Sequence, residues 1–201
     1  MFAFFRSLWR LVFDREHPRR YPSERFKDGR RYAIALAPYL RDFSATEKKP
    51  MALSPFSVML WHGWGWERTE HVFRDEPFGF LLRYNRTPIA GIGFALKEQA
   101  VIIGQIQGVQ GCARELRMLR WERMLVAIVV DWARAHGFLI IKIRRAEHNG
   151  YYFKENPRRD LDKREIARNA SLKRRYNGTA RACGFHPDPS DPTMLVRSIA
   201  P

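Results

Sequence analysis

The stretch Gly108-Val-Gln-Gly111-Cys-Ala113, followed by Arg114, Arg117 and Arg120, has residue types suited to holding phosphate. It lies between an apolar run, Val101 to Gln107, and a helical pattern that begins near Arg114. Glycine lets a backbone approach a ligand closely and adopt dihedrals that other residues avoid. A helix start offers unpaired N–H groups and the positive end of a dipole. Arginines spaced three apart on the following helix would add a cationic edge. Cys112 lies in the same loop, where a helix N-terminus can lower a thiol's pKa, but a buried or incidental thiol is the favoured reading.

Other reactive residue types are scattered. His62 and His71 have no metal-ligand pattern with a nearby cysteine or carboxylate, so no metal is expected. His148 and His186 fall in polar surroundings. Asn85, Asn169 and Asn177 each open a glycosylation sequon, read as chance matches. The two cysteines, Cys112 and Cys183, are too few for a disulfide framework, and a reducing, cytoplasmic setting is expected.

The elements that would position these residues follow from periodicity and turn chemistry. Phe78–Tyr84, Ile89–Leu96 and Val101–Gln107 read as three strands joined by turns at Asn85–Pro88 and Lys97–Gln99, an antiparallel meander. Gly91, Gly93 and Gly104 within them suggest bulges or close backbone approach. A helix is expected over Arg114–His136 with Trp121, Met124, Leu125, Ile128 and Trp132 as its core stripe, ended by Gly137. Phe138–Ile143 reads as a buried strand, and a strand–helix–strand unit implies parallel pairing. Arg144–Ile166 reads as a basic insertion. Ala167–Ala182 reads as a helix interrupted at Gly178, and Met194–Ile199 as a last strand.

Before the meander, Ser54-Pro55 has the form of a helix start, with Phe56, Met59 and Leu60 on the apolar side. The glycines of Trp61-His-Gly-Trp-Gly-Trp66 imply a loop or broken helix end, with three indoles for packing. Read as a helix, residues 1–13 set Phe2, Phe5 and Trp9 on one face, with Arg6 and Arg10 beside it. That face could dock on its own domain, on a second subunit, or in a membrane interface. Residues 17–31 read as a polar, basic connector.

At 201 residues the chain suits one domain with a real core, and its 45% hydrophobic and 28% charged residues exclude global disorder. With 36 Lys+Arg against 21 Asp+Glu, the net charge is +15, which favours nucleic acid, an anionic membrane or a phosphate-rich small molecule. The excess is regional. It lies in residues 1–31, on the helix start over residues 114–123, and in residues 154–175. No zinc-finger or RNP motif accompanies it, which makes nucleic acid the weaker partner.

From Phe78 to Ile199 the order of elements resembles the GNAT superfamily of N-acetyltransferases. There a meander leads to a strand, a pyrophosphate loop Gln/Arg-x-x-Gly-x-Gly/Ala, a helix and a parallel strand. A late helix, a Gly-Phe pair and a final strand come after these. Gly108–Ala113 matches the last Gly and Ala of the loop, with Gln107 one place early. Arg174–Phe185 and Met194–Ile199 resemble the ending. The resemblance implies an α+β fold (mixed α/β), a central mixed sheet flanked by helices. Residues 1–50 would be a helical extension and connector, and residues 51–201 the GNAT-like domain.

The resemblance also implies acyl transfer from acetyl-CoA or another acyl-CoA to an amine. The thioester substrate would be held by Gln107, Gly108, Val109, Gln110, Gly111, Cys112, Ala113 and Arg114. The family's acidic tyrosine position is Ala180 here. Tyr176, one turn earlier, could serve as the general acid only if the helix is shifted. Asn149 could be the family's asparagine after the parallel strand, but it is spaced too close to Tyr151 and Tyr152. The third strand offers Gln105 and Gln107 where a carboxylate base is common. A base would then be water or a carboxylate such as Glu76 or Glu98, unless the amine arrives neutral. The competing expectation is a non-catalytic protein of the same fold that binds nucleic acid, or an anionic membrane through residues 1–13.

Overall fold

A computed structural model describes residues 31–32, 39, 56–62, 65–66, 72–154 and 160–199. The expected helix over 1–13, its basic connector up to residue 30, Ser54-Pro55, His71 and Arg158-Arg159 lie outside them.

Among the described residues, eight strands form one sheet, in the order β1-β2-β5-β6-β7-β8-β10-β9. The strands are β1 (Arg31–Tyr32), β2 (Phe56–His62), β5 (Phe78–Tyr84), β6 (Thr87–Lys97), β7 (Ala100–Gly108), β8 (Ile140–Arg144), β9 (His186–Pro187) and β10 (Met194–Ser198). A separate pair joins β3 (Gly65–Trp66) to β4 (Phe73–Arg74). The predicted meander is present as β5, β6 and β7, antiparallel throughout. The β5–β6 turn places Asn85 and Arg86 at φ 47° and 71°. Two central residues of positive φ match the twist of a two-residue hairpin. The parallel pair is β7 with β8, as the strand–helix–strand reading implies.

The helix between those strands is in two pieces, α1 (Ala113–Arg117) and α2 (Trp121–Ala135), rather than one. The chain leaves the helical path at Met118–Arg120. There Leu119 is fully buried, and the Arg120 N–H donates to the Tyr39 carbonyl at 2.8 Å. All five residues of the predicted stripe on α2 are buried. Trp132 packs on Phe94 and Phe138 with ring centroids 5.0 and 5.8 Å away. Burial of side chains of this size contributes about 1.5–3 kcal/mol each.

The other sheet face is covered differently. Trp61 and Val72 pack there with Leu81 and Val109. This packing explains two glycines. A Cβ on Gly79 would run into the Trp61 indole, and one on Gly91 would lie 2.9 Å from Val72 Cγ1. Gly104 has another role. The β6–β7 register steps from Phe94↔Ile103 to Gly93↔Gln105, so Gly104 is the extra residue of a bulge.

Three further expectations need correction. Phe56–His62 is a strand paired with β5, not a helix, and Trp61 is buried at its end. The reading of Arg144–Ile166 as an insertion is too long at both ends. Arg144 belongs to β8, Ala146–His148 is a 3-10 turn, and α3 (Lys163–Lys173) starts with Asp162 in a capping box with Glu165. Gly178 does not interrupt the last helical stretch. It closes a π-helical segment, Arg174–Gly178, that runs on into α4 (Thr179–Ala182). Among the described residues no helix is long and apolar enough to cross a membrane.

Candidate functional site

The site begins where two strands part. Pairing of β7 with β8 runs from Ala100↔Ile140 to Ile103↔Ile143 and stops there. From Gly104 to Gly108, β7 continues along β6 alone. The bulge at Gly104 bends the strand and re-aims residues 105–108. The Val109 N–H donates to the Ile89 carbonyl of β6 at 2.8 Å. By strand alternation, the N–H groups of Gly108 and Ile106 then point to the opposite side, into the gap.

Tyr176 reaches that gap. The Ile106 N–H donates to the Tyr176 hydroxyl oxygen at 2.9 Å, across 70 residues of sequence. The Asn149 side chain is a second hydrogen-bond partner of that hydroxyl. The Asn149 carbonyl oxygen Oδ1 accepts from the Tyr151 N–H at 3.0 Å, which orients the amide. Tyr176 is buried, and burial raises its pKa above the ordinary 10.0 despite these bonds. It is therefore a protonated phenol at neutral pH, fit to donate a proton and not to take one. The π-helical segment supplies the displacement that a regular helix would lack. Widened turns of this kind often occur at functional sites. Sequence spacing places Asn149 too near the tyrosines to act, yet it is buried and bonded to Tyr176.

The loop Gly108–Ala113 leads from the gap. Gly111 has φ +91°, and a Cβ there would meet nothing within 4 Å. Its need for glycine is conformational, not steric. Neither α1 nor α2 has a side chain capping its N-terminus. Gly108, Val109, Gln110, Gly111 and Ala113 line an open cleft of about 420 Å³ with Arg117, Trp121 and Arg175. Arg175 comes from the π-helical segment and lies over the Trp121 ring, 5.8 Å from its centroid. An adjoining cleft of about 700 Å³ is lined by Arg120, Arg123, Arg174 and Arg175, with Ser171 and Thr179, and the Glu122 carboxylate borders both clefts. The break in the helix separates Arg120 from Arg114 and Arg117, so the three do not form one continuous edge. Arg117 and Arg120 border the clefts, while Gln107, Cys112 and Arg114 do not line them.

Cys112 is not an activated thiol. Burial and the charge of Glu115 push its pKa up. Both cysteines are free. Asn169 and Asn177 are buried and structurally engaged. Asn169 exchanges hydrogen bonds with the Phe153 backbone, and Asn177 accepts from the Ala146 N–H and donates to the Glu147 carboxylate. Together they clamp the segment that carries Asn149. His148 and His186 are exposed. Among the described residues no group of three ligating side chains could hold a metal.

No protein-family model matches the chain, and no curated protein matches it in sequence. Among solved structures it is similar to an IAA acetyltransferase from Bacillus cereus. The TM-score is 0.41 at 8% identity, over 66% of this chain and 78% of that one. It is also similar to a GNAT family N-acetyltransferase from Escherichia coli in complex with CoA (TM-score 0.37, 11% identity, 61% of this chain and 59% of that one). An N-acetyltransferase from Thermoplasma acidophilum in complex with coenzyme A gives a TM-score of 0.33 at 9% identity, over 59% of this chain and 57% of that one. The chain spans less than two thirds of the latter two proteins. Its own topology carries the conclusion: an antiparallel meander, a parting of β7 from β8, a glycine loop into helices, a parallel strand, and a late helix leading through Gly184-Phe185 to β10. That arrangement is a GNAT-like fold.

Proposed function

We propose that the protein transfers an acyl group from acyl-CoA to an amine. The single observation that carries this reading is the Tyr176 hydroxyl, held in the gap between β7 and β8 by the Ile106 N–H. An extended ligand with amide groups can lie along the free side of β7, where Gly108 turns its N–H outward. Its pyrophosphate would sit over the Gly108–Ala113 loop, with Arg117 and Arg175 alongside.

The chemistry derives from that placement. The amine lone pair attacks the thioester carbon, forming the C–N bond. A β7 N–H facing the gap stabilises the oxyanion. As the C–S bond breaks, its electrons pass to sulfur, which takes the Tyr176 proton. The phenolate then recovers a proton released by the amine. Holding both reactants in the gap would supply much of the acceleration.

Acetyl-CoA at about a hundredfold excess over Kd should stabilise the protein by about 2.7 kcal/mol, which raises Tm by roughly 5–10 °C for this size. Gly111→Trp should abolish the rise, because φ +91° disfavours a side chain and the indole would cover the loop. No rise with millimolar acetyl-CoA, together with steeply salt-dependent binding to RNA, DNA or anionic vesicles, would instead support a binding protein without catalysis.

A further inference from the structure

We infer that Glu76 is the catalytic base, which supplies from outside the sheet the carboxylate that β7 lacks. This inference rests on the acyl-transfer reading. Glu76 lies in the segment between β4 and β5, and its side chain crosses the sheet face at Gly93 and Gly104. A Cβ on Gly93 would sit 3.0 Å from Glu76 Cβ, and one on Gly104 would sit 2.7 Å from Glu76 Cδ and collide with Oε1. Two glycines on adjacent strands thus make the slot in which the carboxylate lies. Gly104 is the bulge residue and the first position of β7 beyond the β8 pairing. The carboxylate therefore rests where the gap opens, two residues from Ile106.

The glutamines of β7 fix its position. The Asp75 N–H donates to Gln105 Oε1 at 3.3 Å, and Gln105 Nε2 donates to Gln107 Oε1 at 2.8 Å. The Trp61 indole N–H donates to the Glu76 carbonyl at 3.5 Å. The backbone on both sides of Glu76 is tied down, while its carboxylate takes no hydrogen bond from the described residues. A half-buried carboxylate left without such bonds is disfavoured as an anion. A proton carrier needs that freedom.

The surroundings tune it. Burial raises the Glu76 pKa to about 7; Arg144 at the end of β8 opposes the rise, and the neighbouring Asp75 adds to it. Asp75 itself accepts from the Tyr151 hydroxyl at 3.3 Å, and Arg168 lies over the Tyr151 ring. Near neutral pH the group can both take and release a proton. In the reaction an ammonium substrate gives one proton to the Glu76 carboxylate, and the neutral amine then attacks. The proton lost from nitrogen after C–N bond formation replaces the one that Tyr176 gives to sulfur. Glu76 releases its proton to water, so acyl-CoA and amine become amide and CoA thiol.

The test compares wild type and Glu76→Gln in acetylation of n-butylamine by acetyl-CoA from pH 5 to 10. Glutamine matches the shape and removes a half-buried charge, so the variant should keep the fold and the acetyl-CoA melting shift. Wild-type kcat/KM should climb with pH through about 7, because only the ionised carboxylate accepts a proton. Glu76→Gln should be about a hundredfold slower at pH 7 and lose that limb. Its remaining activity should rise only as the amine itself deprotonates, near pH 10. An unchanged profile in Glu76→Gln would overturn the inference and leave the acyl-transfer reading standing. A wild type that shows the melting shift but acetylates no butylamine would also overturn it. A wild type with neither shift nor turnover would overturn both.

Discussion

Tyr176→Phe should lower kcat for amine acetylation about a thousandfold while leaving acetyl-CoA affinity within about threefold, since a positioned general acid contributes roughly 10²–10⁴. The asymmetry comes from where the hydroxyl sits. It is bonded to the Ile106 N–H and to Asn149 and faces the gap, whereas the cleft beside the phosphate loop is lined by other residues. The phenyl ring would keep its buried place. Two donors would lose an acceptor, at a cost of about 1–3 kcal/mol each. That cost should appear in a urea melt without unfolding the protein. Steady-state kinetics beside calorimetric titration of acetyl-CoA checks the split. Equal losses in affinity and kcat would mean that Tyr176 only shapes the gap. A kcat within a few-fold of wild type would mean that it only caps Ile106.

Charge reversal at the clefts should act on the other quantity. Arg117→Glu with Arg175→Glu should weaken acetyl-CoA binding by about a thousandfold. Each lost charge-assisted contact removes about 1.5–3 kcal/mol, and the new carboxylates repel phosphate. Arg175 also covers Trp121, so part of its effect is packing. Lys97→Glu is the control. It makes one such charge reversal, half the change of the double variant, at the end of β6 that pairs with Ala100, whereas the loop adjoins the end that pairs with Gly108. Titration calorimetry at two salt concentrations should show the control near wild type. It should also show a flatter salt dependence in the double variant. Loss of affinity in Lys97→Glu equal to that in the double variant would show that net charge, not a site, attracts the ligand.

The meander was legible because its signals are local. Phe78–Tyr84 matches β5 residue for residue, since an apolar run ends at turn residues able to take positive φ. The stripe on α2 was equally plain. Phe56–His62 was not, because a short apolar run after Ser-Pro suits a helix start as well as a strand. Pairing with β5 decides between them. The break at Met118–Arg120 contains no Gly or Pro, and it coincides with a backbone bond to Tyr39, distant in sequence. The start of α3 did carry a signal, Asp162 followed three residues later by Glu165.

The loop could be found by its glycines, whereas the sequence leaves Glu76 level with Glu98 and water as the proposed base. Glu76 acquires its setting from Gly93, Gly104 and Trp61, on three different strands, and only the folded sheet brings them together. The π-helical segment has no comparable sequence mark, so regular helical spacing points to Ala180. In the structure Ala180 is buried in the core, and Tyr176 holds the gap. The large positive charge sharpened in the same way. Arg117, Arg120, Arg123, Arg174 and Arg175, drawn from two separate basic stretches, meet around neighbouring clefts.

The most direct test of the central claim is the backbone amide spectrum of the protein as CoA is added. The amides of Ile106, Gly108 and Gly111 should shift together and saturably, while Gly137 and Gly184, at the ends of α2 and α4, stay in place. Saturable binding with those three amides unmoved, or no binding at millimolar CoA, would contradict a CoA site between β7 and β8.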